Sequence, residues 1–232
     1  MSRGRIVAIG GLLFTEPDLR DRMLGYVHGL TGKERPRILH VPTAVGDDEW
    51  SIDGMRDILR DDRWDAGHLK LFGVPDPGWR ARVLCQDVIW VNGGNTANML
   101  AVWRAQGFDA AVREAWERGA ILAGWSAGAI CWFEACVTDS FRVDLDGMHD
   151  GLGLLPGSCC PHYDGEDRRR PVFHELIAAG FPAGYAIDDG AAILFQGQDL
   201  VEAVTVRPGA AAYRVELRAG EVVETALPAR AL

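Results

Sequence analysis

Short apolar runs rich in Ile and Val recur along this chain, separated by longer stretches in which apolar residues return every three or four positions. The runs cover residues 6–9, closed by Gly10-Gly11; 38–41, closed by Pro42; 69–72; 88–91; and 121–124, which flows directly into Ser126. Runs of this length bounded by Gly or Pro predict strands. Helices are predicted over about 18–30, 50–59, 97–105 and 108–118, with acids and arginines on the solvated faces. The alternation implies βαβ units and an α/β fold: a mostly parallel sheet flanked by helices on both faces. In such sheets a ligand site lies beyond the carboxyl ends of the strands. After about Glu134 the pattern lapses into an irregular stretch reaching about Pro161, and a helix is predicted over about 169–179. From Gly184 onward the chain reads as a β-rich C-terminal tail, with 214–217 and 221–224 joined by Ala219-Gly220 as a hairpin. No repeat, low-complexity segment or linker interrupts it, so residues 1–232 read as a single α/β domain.

Composition narrows the class of protein. Among 232 residues, 48% are apolar and 25% charged, enough to bury a core without a disulfide framework or structural metal. The formal net charge of -9 opposes nucleic acid or an anionic membrane as partner, despite one basic run at Arg168-Arg169-Arg170. No apolar run is long enough to span a bilayer, and Met1-Ser2-Arg3-Gly4-Arg5 leads straight into a strand instead of a signal-peptide core. The cysteines, Cys85, Cys131, Cys136, Cys159 and Cys160, are odd in number and form no CxxC pair, so they read as reduced thiols in a cytoplasmic protein. The expected assembly is a monomer or homodimer.

Two glycine-rich strand ends carry the candidate chemistry. Gly124-Trp125-Ser126-Ala127-Gly128 fits G-x-S-x-G between a predicted strand and the helix-compatible residues 129–133. A sharp turn there would strain the serine backbone and lift its hydroxyl above the sheet, with following amides free to stabilise a negative oxygen. Asn92-Gly93-Gly94-Asn95-Thr96 closes another strand, leaving bare backbone at Gly94 as an oxyanion donor beside the Ala127 amide, and Asn95 or Thr96 to cap a helix. A plain βα turn explains the second cluster equally well when it is taken alone. His162 follows Pro161 in a loop-like stretch, where a functional side chain is expected. The carboxylates His149 sits among read as a solvated loop, and without HExxH-type spacing no metal is expected. His40, in a strand, reads as a core histidine, and Cys131 as a core thiol.

Together, Gly93-Gly94-Asn95-Thr96, Gly124-Trp125-Ser126-Ala127-Gly128-Ala129, Pro161-His162 and, more weakly, Gly165-Glu166-Asp167-Arg168 resemble peptidase family S51, the family of aspartyl dipeptidase and the more distant cyanophycinases. The resemblance implies a fold similar to class I glutamine amidotransferases, with serine at the elbow, and hydrolysis of small peptides, dipeptides with N-terminal aspartate among them, without a cofactor. Carried over by position, the nucleophile is Ser126, the base His162 and the orienting acid Asp189, in Ile187-Asp188-Asp189-Gly190. An alternative assignment of the acid falls on Asp139. Arg168 would grip an acidic side chain, with Asn95 also binding substrate, and the oxyanion hole would be Gly94 and Ala127. The segment between His162 and Gly165 is shorter than the family pattern, and the acid is Asp where Glu is expected.

Two other readings compete. An α/β-hydrolase esterase shares G-x-S-x-G but places its acid between serine and histidine, which Asp139 or Asp144 would satisfy. A non-catalytic amidotransferase-like module would bind a small acidic ligand without turning it over.

Overall fold

The computed structural model describes residues 4–11 and 15–232, so the reading of Met1-Ser2-Arg3 lies outside the described residues. The first half follows the predicted rhythm: β1 (Arg5–Ile9), α1 (Pro17–Thr31), β2 (Arg37–Val41), α2 (Glu49–Ile58), β3 (Asp65–His68), α3 (Trp79–Leu84), β4 (Val88–Val91), α4 (Thr96–Gln106), α5 (Phe108–Glu117) and β5 (Ile121–Trp125). Local chemistry sets these bounds. Pro17 opens α1, and Gly32, at φ 66°, closes it. Asp48 accepts the Ser51 amide to cap α2, and Asn95 accepts the Asn98 amide to cap α4, each worth about 1 kcal/mol.

One element shifts. The apolar residues 69–72 are not the third strand; β3 is Asp65–His68, an edge strand paired with β2. An edge strand needs no apolar alternation, whereas Leu69 and Leu71 are buried because the chain tucks into the core after leaving the sheet. The short helix α3 has no counterpart among the predicted elements.

The second half corrects the sequence reading further. A single-turn α6 (Ala127–Ile130) replaces the longer helix expected over 129–133, and is followed by β6 (Phe133–Thr138), β7 (Asp146–Met148), β8 (Leu155–Cys160), α7 (Arg169–Ala178), β9 (Gly184–Ile187), β10 (Ala191–Gln196), β11 (Asp199–Thr205), β12 (Ala212–Arg218), β13 (Glu221–Ala226) and β14 (Ala229–Ala231). The stretch expected to be irregular therefore holds three strands. They escape notice because β8 reads Leu-Pro-Gly-Ser-Cys-Cys, lacking the β-branched residues that announced the others.

The strands form two sheets instead of one. The eight-stranded sheet runs β14-β11-β10-β1-β5-β4-β2-β3, parallel from β1 through β3, with β10 added antiparallel to β1. The six-stranded sheet runs β13-β12-β9-β8-β6-β7. The C-terminal strands are not an appendage: β10, β11 and β14 extend the first sheet, while β9, β12 and β13 build the second. The expected hairpin is present as β12–β13, turned by Ala219 (φ 51°) and Gly220 (φ 86°), the paired positive φ of a tight hairpin.

Three apolar clusters hold these layers. One face of the first sheet packs on α1 and α2 through Val7, Ile9, Met23, Val27, Met55 and Trp90. The opposite face packs on α4, α5 and the second sheet through Trp103, Phe108, Trp132, Phe133, Ile187 and Phe195. The second sheet buries its far face under α7 with Tyr163, Phe173, Ile177 and Val215.

Candidate active site

Ser126 sits where β5 ends and α6 begins, at φ 53° and ψ -118°, a backbone conformation unfavourable for a residue with a Cβ. Its amide is pinned to the Ile9 carbonyl at 3.1 Å, and its side chain does not cap the following turn. The flanking glycines have a steric cause. A Cβ at Gly124 or Gly128 would strike the Val91 carbonyl, so the elbow folds only if both stay bare against the end of β4. Gly93 lies just as close to the Trp125 ring, where a Cβ would stand 2.5–2.8 Å from three ring carbons. The two glycine motifs are thus one packed unit.

His162 and Asp189 come from the second sheet, after β8 and β9. His162 also holds a positive φ, 51°, and its Nδ1 stands 2.7 Å from Asp189 Oδ1. Both side chains are largely buried, 18% and 25% exposed, so the pair is shielded yet reachable. The segment after His162 passes by a turn, Glu166 amide to His162 carbonyl at 3.1 Å, into α7, which accounts for its brevity. At this point the two sheets are joined through Gly10-Gly11. Gly11 forms an isolated parallel bridge with Asp189, and the Gly190 amide donates to the Gly11 carbonyl at 3.0 Å. A Cβ on Gly11 would overlap the Asp189 carboxylate and stand 2.8 Å from His162 Nδ1. Since Ile9 pairs with Trp125 and bonds Ser126, one short segment carries the elbow on one side and the His–Asp pair on the other. Among the described residues no hydrogen bond joins the Ser126 hydroxyl to His162, whose partner is Asp189 through Nδ1. Such bonds are often long until substrate arrives.

The remaining expected residues separate. Ala127 is buried as the first residue of α6, where an amide has no partner within the helix. Gly94 is exposed at φ 136°, against the Ala44 carbonyl and Val45. Asn95 is committed elsewhere: Oδ1 accepts the Asn98 amide at 2.8 Å and Nδ2 donates to the Ser140 carbonyl at 3.0 Å. Arg168 is 70% exposed, 3.8 Å from Asp144. It shares an open cleft of about 160 Å³ with Asp139, Asp144, Glu166 and Asp167. Asp139 therefore belongs to the Arg168 cleft, while the carboxylate on the imidazole is Asp189, which follows the histidine in sequence. That order departs from the esterase pattern.

Sequence reading missed Gly11, Gly165, Asp164 and Arg207, which all touch Asp189. The double glycine Gly10-Gly11 after a strand is the signal the sequence offers, and by itself it marks a strand end. Gly165 lies so close that a Cβ there would meet the other carboxylate oxygen.

Titration behaviour sharpens the chemistry. Burial holds the Cys131 and Cys159 thiols well above their ordinary range and pushes Cys136 up to about 12, so none is a ready thiolate. Asp188, 2% exposed, is raised to about 6 by burial, reinforced by nearby Asp164 and opposed by the Ala211 amide. His40 is buried as expected and lowered to about 4, burial outweighing its bond to Asn92. No cluster of three potential metal ligands occurs among the described residues, and no helix there is long and apolar enough to cross a membrane.

Comparison with known proteins gives the class. Residues 6–203 match Peptidase family S51. An uncharacterized peptidase of Bacillus subtilis (strain 168), YgaJ, is 44% identical over 230 residues, covering 98% of this chain and 99% of that one. Peptidase E of Salmonella arizonae (strain ATCC BAA-731 / CDC346-86 / RSK2980) is 33% identical over 126 residues, so the match takes in 47% of this chain and about half, 55%, of that enzyme. In fold, the chain resembles a peptidase from an acI-B1 Actinobacterium, with TM-score 0.71 and 18% identity over 96% of this chain and 97% of that one. It also resembles a putative peptidase E from Listeria monocytogenes EGD-e, with TM-score 0.63 and 19% identity over 88% and 99%. An α/β peptidase is the class these findings define. The chain belongs to peptidase family S51.

Proposed function

We propose that this peptidase is of the serine type and cleaves short peptides through an acyl-enzyme on Ser126. The observation that carries the reading is the pairing of a strained serine elbow with a His162–Asp189 hydrogen bond on either side of Gly11. Asp189 accepts the Nδ1 proton of His162, which leaves Nε2 unprotonated to act as base. Ser126 Oγ attacks the scissile carbonyl carbon as its proton passes to Nε2. The amides of Ala127 and Gly94 stabilise the resulting oxyanion, and each such donor is typically worth about a hundredfold in rate. The carbon–nitrogen bond then breaks as Nε2 returns the proton to the departing amine. Water, deprotonated by the same nitrogen, releases the acid and restores Ser126.

Selectivity for an N-terminal aspartate is the finer part of the proposal. Arg168 supports it, being an exposed guanidinium with one carboxylate partner at 3.8 Å. The surrounding Asp139, Asp144, Glu166 and Asp167 oppose it, so the expected preference is modest. Asn95 enters as the residue that shapes the Gly94 loop, since both arms of its amide are engaged.

A dipeptide panel read by mass spectrometry, comparing the native protein with Ser126→Ala, tests this function. Cleavage by the native protein alone, with Asp-X peptides among the better substrates, is the expected result. Failure to cleave any member, or equal cleavage by the variant, would remove the serine peptidase assignment.

A further inference from the structure

We infer that Asp164 and Arg207 form a two-point clamp on the main chain of Asp189, acting as positioning residues for the His162–Asp189 pair; the inference rests on the serine mechanism proposed above. The clamp holds both faces of one residue. The Asp189 amide donates to Asp164 Oδ1 at 2.9 Å, and Arg207 Nε donates to the Asp189 carbonyl at 2.9 Å. Arg207 Nη2 closes the loop by donating to Asp164 Oδ2. The parts come from three places: Asp164 lies two residues beyond His162, Asp189 follows β9 in the second sheet, and Arg207 follows β11 in the first.

The chemistry needs such a device. A carboxylate that orients an imidazole works only if its own backbone cannot turn, and Asp189 lies in a connection between strands of different sheets, outside regular pairing except for the Gly11 bridge. The guanidinium supplies two donors in a fixed fork, one for a carbonyl and one for a carboxylate, which a lysine ammonium cannot reproduce. Thr205 in turn fixes the arginine's main chain, its Oγ1 donating to the Arg207 carbonyl at 2.8 Å. The Asp164 and Arg207 side chains are 30% and 31% exposed, and ion pairs at that exposure contribute little to stability. A role in holding geometry remains.

Charge and position make opposite demands, which gives a test. Asp188, buried and adjacent in sequence to Asp189, feels the charges of Asp164, Arg207 and Arg170. If the two residues act on His162 only through space, Asp164→Ala removes a negative charge and moves the acid limb of the kcat/KM profile to lower pH. Arg207→Gln removes a positive charge and moves it to higher pH. If they act by holding Asp189 on the imidazole, both variants loosen that hydrogen bond and both move the limb to lower pH.

The experiment measures pH profiles for Asp164→Ala, Arg207→Gln, the double variant and Arg207→Lys on the full chain, with Ser126→Ala and Asp189→Asn as references. The clamp predicts a kcat reduced about 10- to 100-fold in each single variant, because misplacement of about 1 Å costs up to ~100-fold. KM should change less than about threefold, and the double variant should be no worse than the poorer single one, as for residues acting as a unit. Arg207→Lys should restore little, and melting midpoints should stay within about 3 °C of native. An acid limb displaced in opposite directions by the two single variants, or unchanged kcat in both, would overturn the clamp. The low-field Nδ1 proton of His162, followed by NMR, is independent of turnover. Its loss in both variants supports the clamp, and its persistence overturns the clamp. Undiminished turnover by Ser126→Ala would instead overturn the serine mechanism.

Discussion

Gly11 and Asp189 lie in a parallel bridge across the seam between the two sheets, so close that a methyl group on Gly11 would occupy the space of the Asp189 carboxylate. The same methyl would stand 2.8 Å from His162 Nδ1. Gly11 is thus the surface against which the His–Asp pair is set, and β1 passes that position on to Ser126 through the Ile9 carbonyl. Gly11→Ala should lower kcat by roughly 100-fold, the scale of a misplacement of about 1 Å, and cost about 1–3 kcal/mol of stability through overpacking. Steady-state kinetics with a urea titration checks both, and full activity in Gly11→Ala would show that the seam tolerates displacement.

The identity of the orienting acid gives a second expectation. Asp189→Asn reverses the donor and acceptor roles at Nδ1 and should lower kcat by roughly 10³–10⁴-fold. Asp139→Asn, in the Arg168 cleft, should leave kcat within about threefold, because it changes one exposed charge near substrate. Kinetics on the best peptide of the panel measures both. The reverse outcome would favour an acid lying between serine and histidine in sequence.

His40 predicts a pH dependence of stability. It is 2% exposed on β2, with Nε2 2.9 Å from Asn92 Oδ1, and Asn92 Nδ2 donates to Ser51 Oγ at 2.6 Å. Burial lowers its pKa to about 4 from 6.5. Between those values the unfolded chain binds a proton that the native protein refuses, so stability falls as pH drops from about 6.5 to about 4. The loss approaches roughly 3 kcal/mol at the lower end. Urea titrations across that range should show the fall, and His40→Gln should lack this part of it. A native protein whose stability is flat over the interval would contradict the burial account.

Asp188 acts with the opposite sign. Its folded pKa, about 6, lies above the usual 3.8, so the native state holds the proton more tightly and loses stability as pH rises from about 4 to about 6. One carboxylate oxygen accepts the Ala211 amide at 2.8 Å, and the other is buried with no hydrogen-bond partner among the described residues. Asp188→Asn should therefore gain stability relative to native as pH increases from 4 to 7. Melting midpoints of both proteins at pH 4 and pH 7 measure the difference, and a gap that does not widen would refute it.

Much of the first sheet was legible because its parallel strands are buried on both faces and so read as unbroken Ile and Val runs. The elbow was legible because Gly124 and Gly128 are demanded by the Val91 carbonyl, a steric need that leaves a mark in sequence. The second sheet was not, since β8 carries Pro, Gly, Ser and two cysteines and its burial comes from α7 and the first sheet, which no local pattern reports. For the same reason Asp189 could be named from a family resemblance while its supports could not. Asp164 and Arg207 are 43 residues apart and acquire meaning only when the segments after β8 and β11 meet the carbonyl and amide of Asp189, after β9. Asn95 was legible in one of its two expected roles: the cap read from sequence is present, while its amide nitrogen, expected at substrate from the family motif, donates to the Ser140 carbonyl.

The serine mechanism requires a covalent bond between the substrate acyl group and Ser126 Oγ. Rapid-quench mass spectrometry of the native protein turning over its best peptide, or an activated ester of the same acyl group, reads that bond directly. The acyl mass should appear on the proteolytic fragment containing Ser126, accumulate in His162→Ala supplied with the activated ester, and be absent from Ser126→Ala. Sustained turnover with that fragment unmodified throughout, or an adduct that survives in Ser126→Ala, would rule out Ser126 as the nucleophile.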